Sequence, residues 1–270
     1  MTWGTGDFGG GLLSRRAPLF GVVGLTQLTG MFAALAIAAA IGEPVPTFPD
    51  IAWAIAAGIG GIVGISCLYR GLAVGRMGVV APTTGILAAT VPVVFGFVVE
   101  GIPVPATVVG IVGALAAVVL VTRSPTSGAD RPSGLPWAIA AGLAIAWFNI
   151  CIGQFSGDSA FGLLVIIRLL QAVVMAVLIV LWRQPWRLPA DILGKLFVIG
   201  LLDMAGNATF ILAAQLGDLA VAVVLSSLYP VVTVVLAIAI LREHLTRSHV
   251  AGIVLTAVSI VLITTGSAGG

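Results

Sequence analysis

Three ionisable residues lie inside long apolar stretches of this chain, where charge is costly: Asp7, Arg168 and Asp203. An ionised group at the centre of a bilayer costs about 2.5–3.5 kcal/mol on insertion scales, so such residues usually have a partner or a function. A guanidinium there can bind a substrate carboxylate or balance a nearby Asp, and a carboxylate can bind an amine or a proton. We therefore predict that these three residues contribute to a substrate-binding site.

Structural roles remain open for the same three residues. Arg168 lies only about two helical turns from the start of its apolar run. Its long side chain can therefore extend to the membrane interface and keep its charge in water. Asp203 can join neighbouring helices through hydrogen bonds. Asp7 can simply cap the short first apolar segment.

Uncharged polar and aromatic side chains extend the candidate site. Asn207 follows Asp203 by one helical turn and shares its helix face. Gln27 aligns with Arg168 at a shift of 141 positions, the shift that also places Phe20 and Gly21 on Phe161 and Gly162. The alternative is that these residues tie helices together, or, for Trp, anchor a helix at the interface. The uncharged candidates for substrate binding are Gln27, Trp147, Asn149, Asn207 and Tyr229.

Two prolines inside apolar runs, Pro82 and Pro230, are candidate gating positions. A proline within a membrane helix frees a backbone carbonyl and bends the axis. Hydroxyl residues adjoin both prolines and either face the transport path or bond back to their own helix.

The composition excludes several classes of protein. Hydrophobic residues make up 60% of the 270 residues and charged residues only 8%, whereas soluble domains carry roughly 25% charged residues. Water-soluble enzymes and nucleic-acid-binding proteins need more charge than this. The sequence has no phosphate-binding loop, zinc-hydrolase motif or nucleophile elbow, and Cys67 and Cys151 have no metal-ligand spacing. We predict no cofactor, no metal site and no enzymatic activity.

Stretches of about 20 apolar residues are the length that a membrane-spanning helix requires. The segment at residues 2–14 is shorter than this, and a polar segment at 123–136, rich in Ser, Pro and Gly, reads as a linker. The sequence therefore predicts an all-α membrane protein with ten transmembrane helices. The apolar runs are at about 2–14, 19–41, 51–72, 77–99, 104–122, 137–155, 161–182, 190–214, 219–241 and 248–265.

The two halves of the chain resemble each other. A shift of 142 positions places Gly58, Gly64, Gly75 and Gly110 on Gly200, Gly206, Gly217 and Gly252 without a gap. Five helices per half is an odd number, so the second half enters the membrane in the opposite orientation. We predict two inverted five-helix repeats, residues 1–122 and 137–270, joined by the linker at 123–136, and such a plan usually binds substrate near the midplane.

Three segments resemble the drug/metabolite transporter superfamily, in its EamA-like branch. They are WGTGDFGGGLLSRRAP at residues 3–18, LYRGLAVGRMGVVAP at 68–82, and the last two predicted helices at 226–263, where Pro230 and Glu243 stand at the expected places. The resemblance covers nearly the whole chain. One departure is that Gly101 stands in the first repeat where the equivalent of Glu243 would be.

The resemblance implies a secondary transporter that moves small metabolites, such as amino acids or related amphipathic compounds, by alternating access. We expect efflux, with the substrate, lipid and a coupled proton as partners and with no nucleic acid. Two other classes stay open: a membrane-embedded enzyme that acts on lipid, and a non-transporting membrane subunit or sensor.

The charged residues between apolar runs are segregated. With ten spans, eleven of the Lys and Arg residues fall on one side and none on the other. Positive charge marks the cytoplasmic side, which predicts that the linker is cytoplasmic and both termini are outside. The family resemblance suggests the opposite orientation. In either case we expect a multi-pass protein of the inner or plasma membrane.

Overall fold

The computed structural model describes residues 2–100, 104–123, 132–152, 154–155, 159–216, 232–233, 236, 239–240 and 247–268. Within these ranges the regular secondary structure is entirely helical, which confirms the predicted all-helical class. The helices with defined bounds are α1 (Thr2–Leu13), α2 (Leu19–Ile41), α3 (Phe48–Val74), α4 (Met77–Glu100), α5 (Pro105–Arg123), α6 (Leu135–Ile152), α7 (Ala160–Leu181), α8 (Ala190–Leu216) and α9 (Arg247–Ala268).

Proline and glycine set the ends of the long helices. Pro18 precedes α2, and α2 ends at Gly42, which adopts the left-handed conformation (φ 65°) and donates its backbone N–H to Ala38 and Ala39. Glycine adopts this conformation without the steric cost that a Cβ would bring. The apolar run at 19–41 thereby forms one helix whose backbone hydrogen bonds are satisfied internally, as a bilayer requires.

Five of the described helices are long and apolar enough to cross a membrane: α2, α3, α6, α7 and the first 20 residues of α8. Large apolar side chains point outward along them, for example Phe32, Ile59 and Val180. Outward-facing apolar side chains suit contact with lipid. Several such helices in one chain are the arrangement of a multi-pass membrane protein.

The helices pack closely because glycines face the contacts. α3 packs between α6 and α7, α2 packs against α7 and α8, α1 packs against α3 and α8, and α5 packs against α9. A Cβ on Gly60 of α3 would lie 2.9 Å from the Ala144 carbonyl of α6, and one on Gly110 of α5 would lie 2.9 Å from the Ser259 carbonyl of α9. Only glycine permits such backbone-to-backbone approach.

Contacts between the helix joins distinguish two ends of the bundle. At one end, the Arg15 guanidinium donates to the Leu72 carbonyl at the end of α3 (3.1 and 3.2 Å), and Arg70 lies 6.0 Å from the ring centroid of Trp137 at the start of α6. At the other end, Glu43 of the α2–α3 join contacts the first turn of α7. Arg15 and Arg70 therefore lie at the opposite end of the bundle from Glu43.

Candidate functional site

Arg168 is the centre of a buried polar network. It lies in the middle of the apolar helix α7, and its guanidinium donates through Nη1 to Gln27 Oε1 of α2 and through Nη2 to Asp203 Oδ2 of α8. The side chains of Arg168 and Asp203 are only 9% and 25% exposed. The Arg168 head group therefore stays in the bundle, bonded to two other helices, rather than extending to the interface.

Small residues create the space that this network occupies. A Cβ on Gly30 of α2 would lie 3.5 Å from Arg168 Nε, so the guanidinium stem passes directly over the glycine. A Cβ on Gly200 of α8 would lie 3.0 Å from the Thr26 carbonyl of α2. Close approach of α2 and α8 brings Asp203 within reach of an arginine that arises from a third helix.

Asp7 lies beside this network on the short helix α1. The preceding residue, Gly6, faces α8 so that a Cβ there would lie 3.9 Å from the Asp203 backbone nitrogen. Asp7 is 8% exposed, and its charge and that of Asp203 repel each other. Asp7 therefore lies near Asp203, the carboxylate that Arg168 binds.

Tyr69 of α3 is a member of this cluster that the sequence analysis did not select. Its ring packs against Gly10 of α1, it is fully buried, and the charges of Asp7, Asp203 and Arg168 all act on it. In the sequence, Tyr69 falls near the end of an apolar run and next to Arg70, which suggests a helix end. In the structure α3 continues to Val74, so Tyr69 lies inside the helix.

Gln171 follows Arg168 by one helical turn and forms the second polar position of α7. Its Nε2 donates to the Gly58 carbonyl of α3 at 3.4 Å. Its Oε1, like Arg168 Nε, is buried without a hydrogen-bond partner within the described ranges. α7 thus presents an unused donor and an unused acceptor on neighbouring positions, which suits a polar ligand.

Three other sequence candidates are hydrogen-bonded to the backbone. Asn207 donates to the Asp203 carbonyl of its own helix at 2.8 Å. Trp147 is 48% exposed and donates to the Ala56 carbonyl of α3 at 3.1 Å. Asn149 donates to the Ala88 carbonyl of α4 at 3.3 Å. Such hydrogen bonds hold a side chain to its own helix or join two helices. A role for these residues in substrate binding stays a prediction.

Of the two gating prolines, only Pro82 is described, and it lies inside α4. The next residue, Thr83, is buried with no hydrogen-bond partner for its hydroxyl in the described structure, whereas Thr84 donates to the Ala138 carbonyl of α6 at 3.2 Å. Tyr229 and Pro230 fall outside the described residues.

The first turns of α2 and α7 have different neighbours. The Glu43 carboxylate accepts hydrogen bonds from the backbone N–H groups of Phe161 (3.0 Å) and Gly162 (2.6 Å) of α7. At Gly21, in the first turn of α2, the neighbours are the Trp186 carbonyl and the Leu188 side chain. A carboxylate therefore caps the first turn of α7, whereas backbone and apolar groups contact that of α2.

The cluster contains a guanidinium, two carboxylates, two amides and a phenol, which are groups that can form ion pairs and hydrogen bonds. Within the described residues there is no group of three His, Cys, Asp or Glu that could hold a metal ion.

Comparisons with known proteins concern the family and the fold. Residues 132–265 match the model of the EamA-like transporter family. A solved structure titled "Crystal structure of protein" is similar to this chain with a TM-score of 0.65 and 19% identity, over 97% of this chain and 95% of that one. At this identity the likeness shows the fold alone. No curated protein sequence matches the chain.

Proposed function

Because the chain belongs to the EamA-like transporter family, we propose that it exports small metabolites such as amino acids or related amphipathic compounds by alternating access, with the Arg168 cluster as its binding site. The observation that carries the proposal is the network in which Arg168 joins α2 and α8 from the middle of α7. A buried ionised group in a membrane helix is costly, and this one gathers further polar groups around it.

The position of the cluster also supports the proposal. Gln27 and Arg168 are equivalent residues of the two predicted repeats, and they bond to each other. Two equivalent positions meet only near the axis that relates the repeats, which is where inverted-repeat transporters bind substrate. The bounds of α3 (48–74) and α8 (190–216) both differ by 142, as the repeat alignment predicts.

The proposed architecture is therefore ten transmembrane helices in two inverted repeats, residues 1–122 and 137–270, in the inner or plasma membrane. The contacts between helices support it: α3 packs on α6 as α8 packs on α1, and α3 packs on α7 as α8 packs on α2. In both comparisons, the alignment of the two halves pairs α3 with α8, α6 with α1 and α7 with α2.

In the proposed binding mode, Arg168 Nε donates to a substrate carboxylate, because its N–H is the guanidinium donor left without a partner in the described structure. Gln171 Oε1 accepts from a neighbouring donor of the substrate. The two ends described above would open alternately: release of Glu43 from the first turn of α7 frees one end, and separation of Gly21 from the α7–α8 join frees the other.

Flux in proteoliposomes tests the proposal. Purified protein is reconstituted with a mixture of radiolabelled amino acids, and wild type is compared with Arg168→Gln, Arg168→Lys and Asp203→Asn at matched protein content. We expect each variant to lose at least tenfold in initial rate. Lys is included because its single nitrogen lacks the planar fork with which the guanidinium bonds Gln27 and Asp203 from two separate nitrogens.

The matched control is Asp191→Asn, which removes an exposed carboxylate from the same helix as Asp203. It should transport like wild type. Transport at the wild-type rate by all three cluster variants would refute the assignment of the site, and absence of flux in wild type over a broad metabolite panel would refute the transport activity.

A further inference from the structure

The start of α7 is capped by a residue from another part of the chain. Ser159 immediately precedes the helix, and its carbonyl accepts the first helical hydrogen bond, from the Leu163 N–H at 2.9 Å. A serine at this position normally uses its side-chain oxygen to accept from the N–H of the second or third helical residue, which here are Phe161 and Gly162. In the structure both of these N–H groups donate to the Glu43 carboxylate instead, at 3.0 and 2.6 Å.

The Ser159 hydroxyl is directed away from its own helix. It makes no capping hydrogen bond and donates to the Pro44 carbonyl at 2.9 Å. Its backbone ψ is 45°, whereas a capping residue is usually extended, as Thr47 at the start of α3 is with a ψ of 156°. Ser159 therefore stands at the capping position without capping, and its hydroxyl holds the same α2–α3 join that supplies Glu43.

Moving the α2–α3 join away from α7 would break all three hydrogen bonds together. The N–H groups of Phe161 and Gly162 would then lack a partner, because the first four N–H groups of a helix have none within the helix. The same movement frees the Ser159 hydroxyl from Pro44. Rotation of its ψ to the extended range brings the side-chain oxygen within reach of these N–H groups, as in other serine caps. The released acceptor is therefore one that the released donors can use.

We propose that the start of α7 has two alternative caps. In the closed arrangement, Glu43 caps the helix and Ser159 holds the join. When this end opens, Glu43 leaves and Ser159 caps its own helix. The switch keeps an N–H group of the first turn hydrogen-bonded in both states, and an unpaired N–H group is costly, so the switch favours reversible opening. This inference rests on the proposed function and adds the residue that takes over when Glu43 is released.

Amide hydrogen exchange of Phe161 and Gly162, measured by NMR on protein in lipid nanodiscs, tests the second cap. The comparison is between Glu43→Ala and the double variant Glu43→Ala/Ser159→Ala. With Glu43 removed, Ser159 is the remaining cap, so we expect the additional Ser159→Ala to raise the exchange rate by about fivefold, the effect of losing a serine cap.

Ser159→Asp separates the two uses of the hydroxyl. An ionised carboxylate accepts hydrogen bonds but cannot donate one to the Pro44 carbonyl, and Asp caps helices as well as Ser does. In the Glu43→Ala background, Ser159→Asp should therefore keep the slow exchange that Ser159→Ala loses.

Thr47→Ala is the matched control, because it removes the hydroxyl of the residue that precedes α3, where this hydroxyl donates to Asp50 Oδ2 at 2.8 Å. In the Glu43→Ala background it should leave the exchange of the α7 amides unchanged. Slow exchange of the amides in the middle of α7 shows that each variant is folded. If Glu43→Ala does not fold, Glu43→Asp replaces it, since a side chain shorter by one methylene draws the carboxylate back from α7.

Equal exchange rates in Glu43→Ala and in Glu43→Ala/Ser159→Ala would overturn the inference, because they would show that the Ser159 hydroxyl only holds Pro44. Fast exchange in Glu43→Ala/Ser159→Asp would overturn it as well. No step of this experiment measures flux. Its failure therefore leaves the proposed transport standing, and a failure of transport leaves the two caps standing.

Discussion

Removing Arg168 should destabilise the folded chain by about 3 kcal/mol. Breaking a buried ion pair by deleting one partner costs about 3–5 kcal/mol, because the other charge is left uncompensated. The Asp203 side chain is 25% exposed and that of Arg168 is 9% exposed, so partial solvation of Asp203 favours the lower end of that range. A loss of about 3 kcal/mol lowers the ratio of folded to unfolded protein roughly a hundredfold.

The two single variants should differ. Arg168→Gln leaves the Asp203 carboxylate without its cation, whereas Asp203→Asn leaves Arg168 hydrogen-bonded to Gln27, so we expect the first to be the more damaging. The double variant removes both partners of the pair and should be less destabilised than the sum of the singles, with a coupling energy of about 1–3 kcal/mol.

Unfolding in mixed detergent micelles, followed by tryptophan fluorescence, measures this cycle. The matched control is Asp191→Asn with Lys195→Gln, two exposed residues one turn apart on α8, whose coupling should stay below about 0.5 kcal/mol. A coupling energy for Arg168 and Asp203 no larger than that of the control pair would refute the argument from burial.

Three further outcomes follow from the packing, the α7 cap and the charge pattern. Gly60→Ala should destabilise the α3–α6 contact by about 1–3 kcal/mol, because its Cβ would lie 2.9 Å from a backbone carbonyl. A Cβ on Gly194 meets nothing within 4 Å, so Gly194→Ala should stabilise α8 by roughly 0.5–1 kcal/mol. Unfolding in detergent measures both changes. Glu43→Gln should weaken the cap of α7 by about 1 kcal/mol and raise the rate of amide exchange in that first turn, and an unchanged rate would show that the cap is not a closing contact. In a background without native cysteines, Gly128→Cys should be labelled by thiol reagents from the cytoplasm and Ala268→Cys from outside, and the reverse pattern would show that family orientation overrides the charge bias.

The helical class and the family were predictable from the sequence because both depend on local signals. Runs of apolar residues with Pro and Gly at their ends identify membrane helices regardless of how these pack, and α3 and α8 fall within three residues of the predicted runs at 51–72 and 190–214. The inverted repeat and the ten-helix count stay predictions, since the predicted run at 219–241 falls mostly outside the described residues.

The membership of the polar cluster was only partly predictable. The cost of charge in a membrane selects Arg168 and Asp203 by residue type alone, and the repeat alignment adds Gln27. No local signal gives the partner of each group, because that depends on which faces of α2, α7 and α8 meet. Trp147 illustrates the limit: its sequence position allows substrate stacking, but the packing of α3 on α6 engages its indole N–H with a backbone carbonyl.

The central claim, that the chain moves small metabolites through the Arg168 cluster, is tested most directly by metabolite release from loaded proteoliposomes. Liposomes containing purified protein are filled with a defined mixture of amino acids and related amphipathic compounds, and the compounds that appear outside are identified by mass spectrometry. We predict that a restricted subset leaves liposomes containing wild type, and that this release falls to the level of protein-free liposomes with Arg168→Gln but not with Asp191→Asn. Release of the same subset at the same rate from Arg168→Gln liposomes would contradict the account.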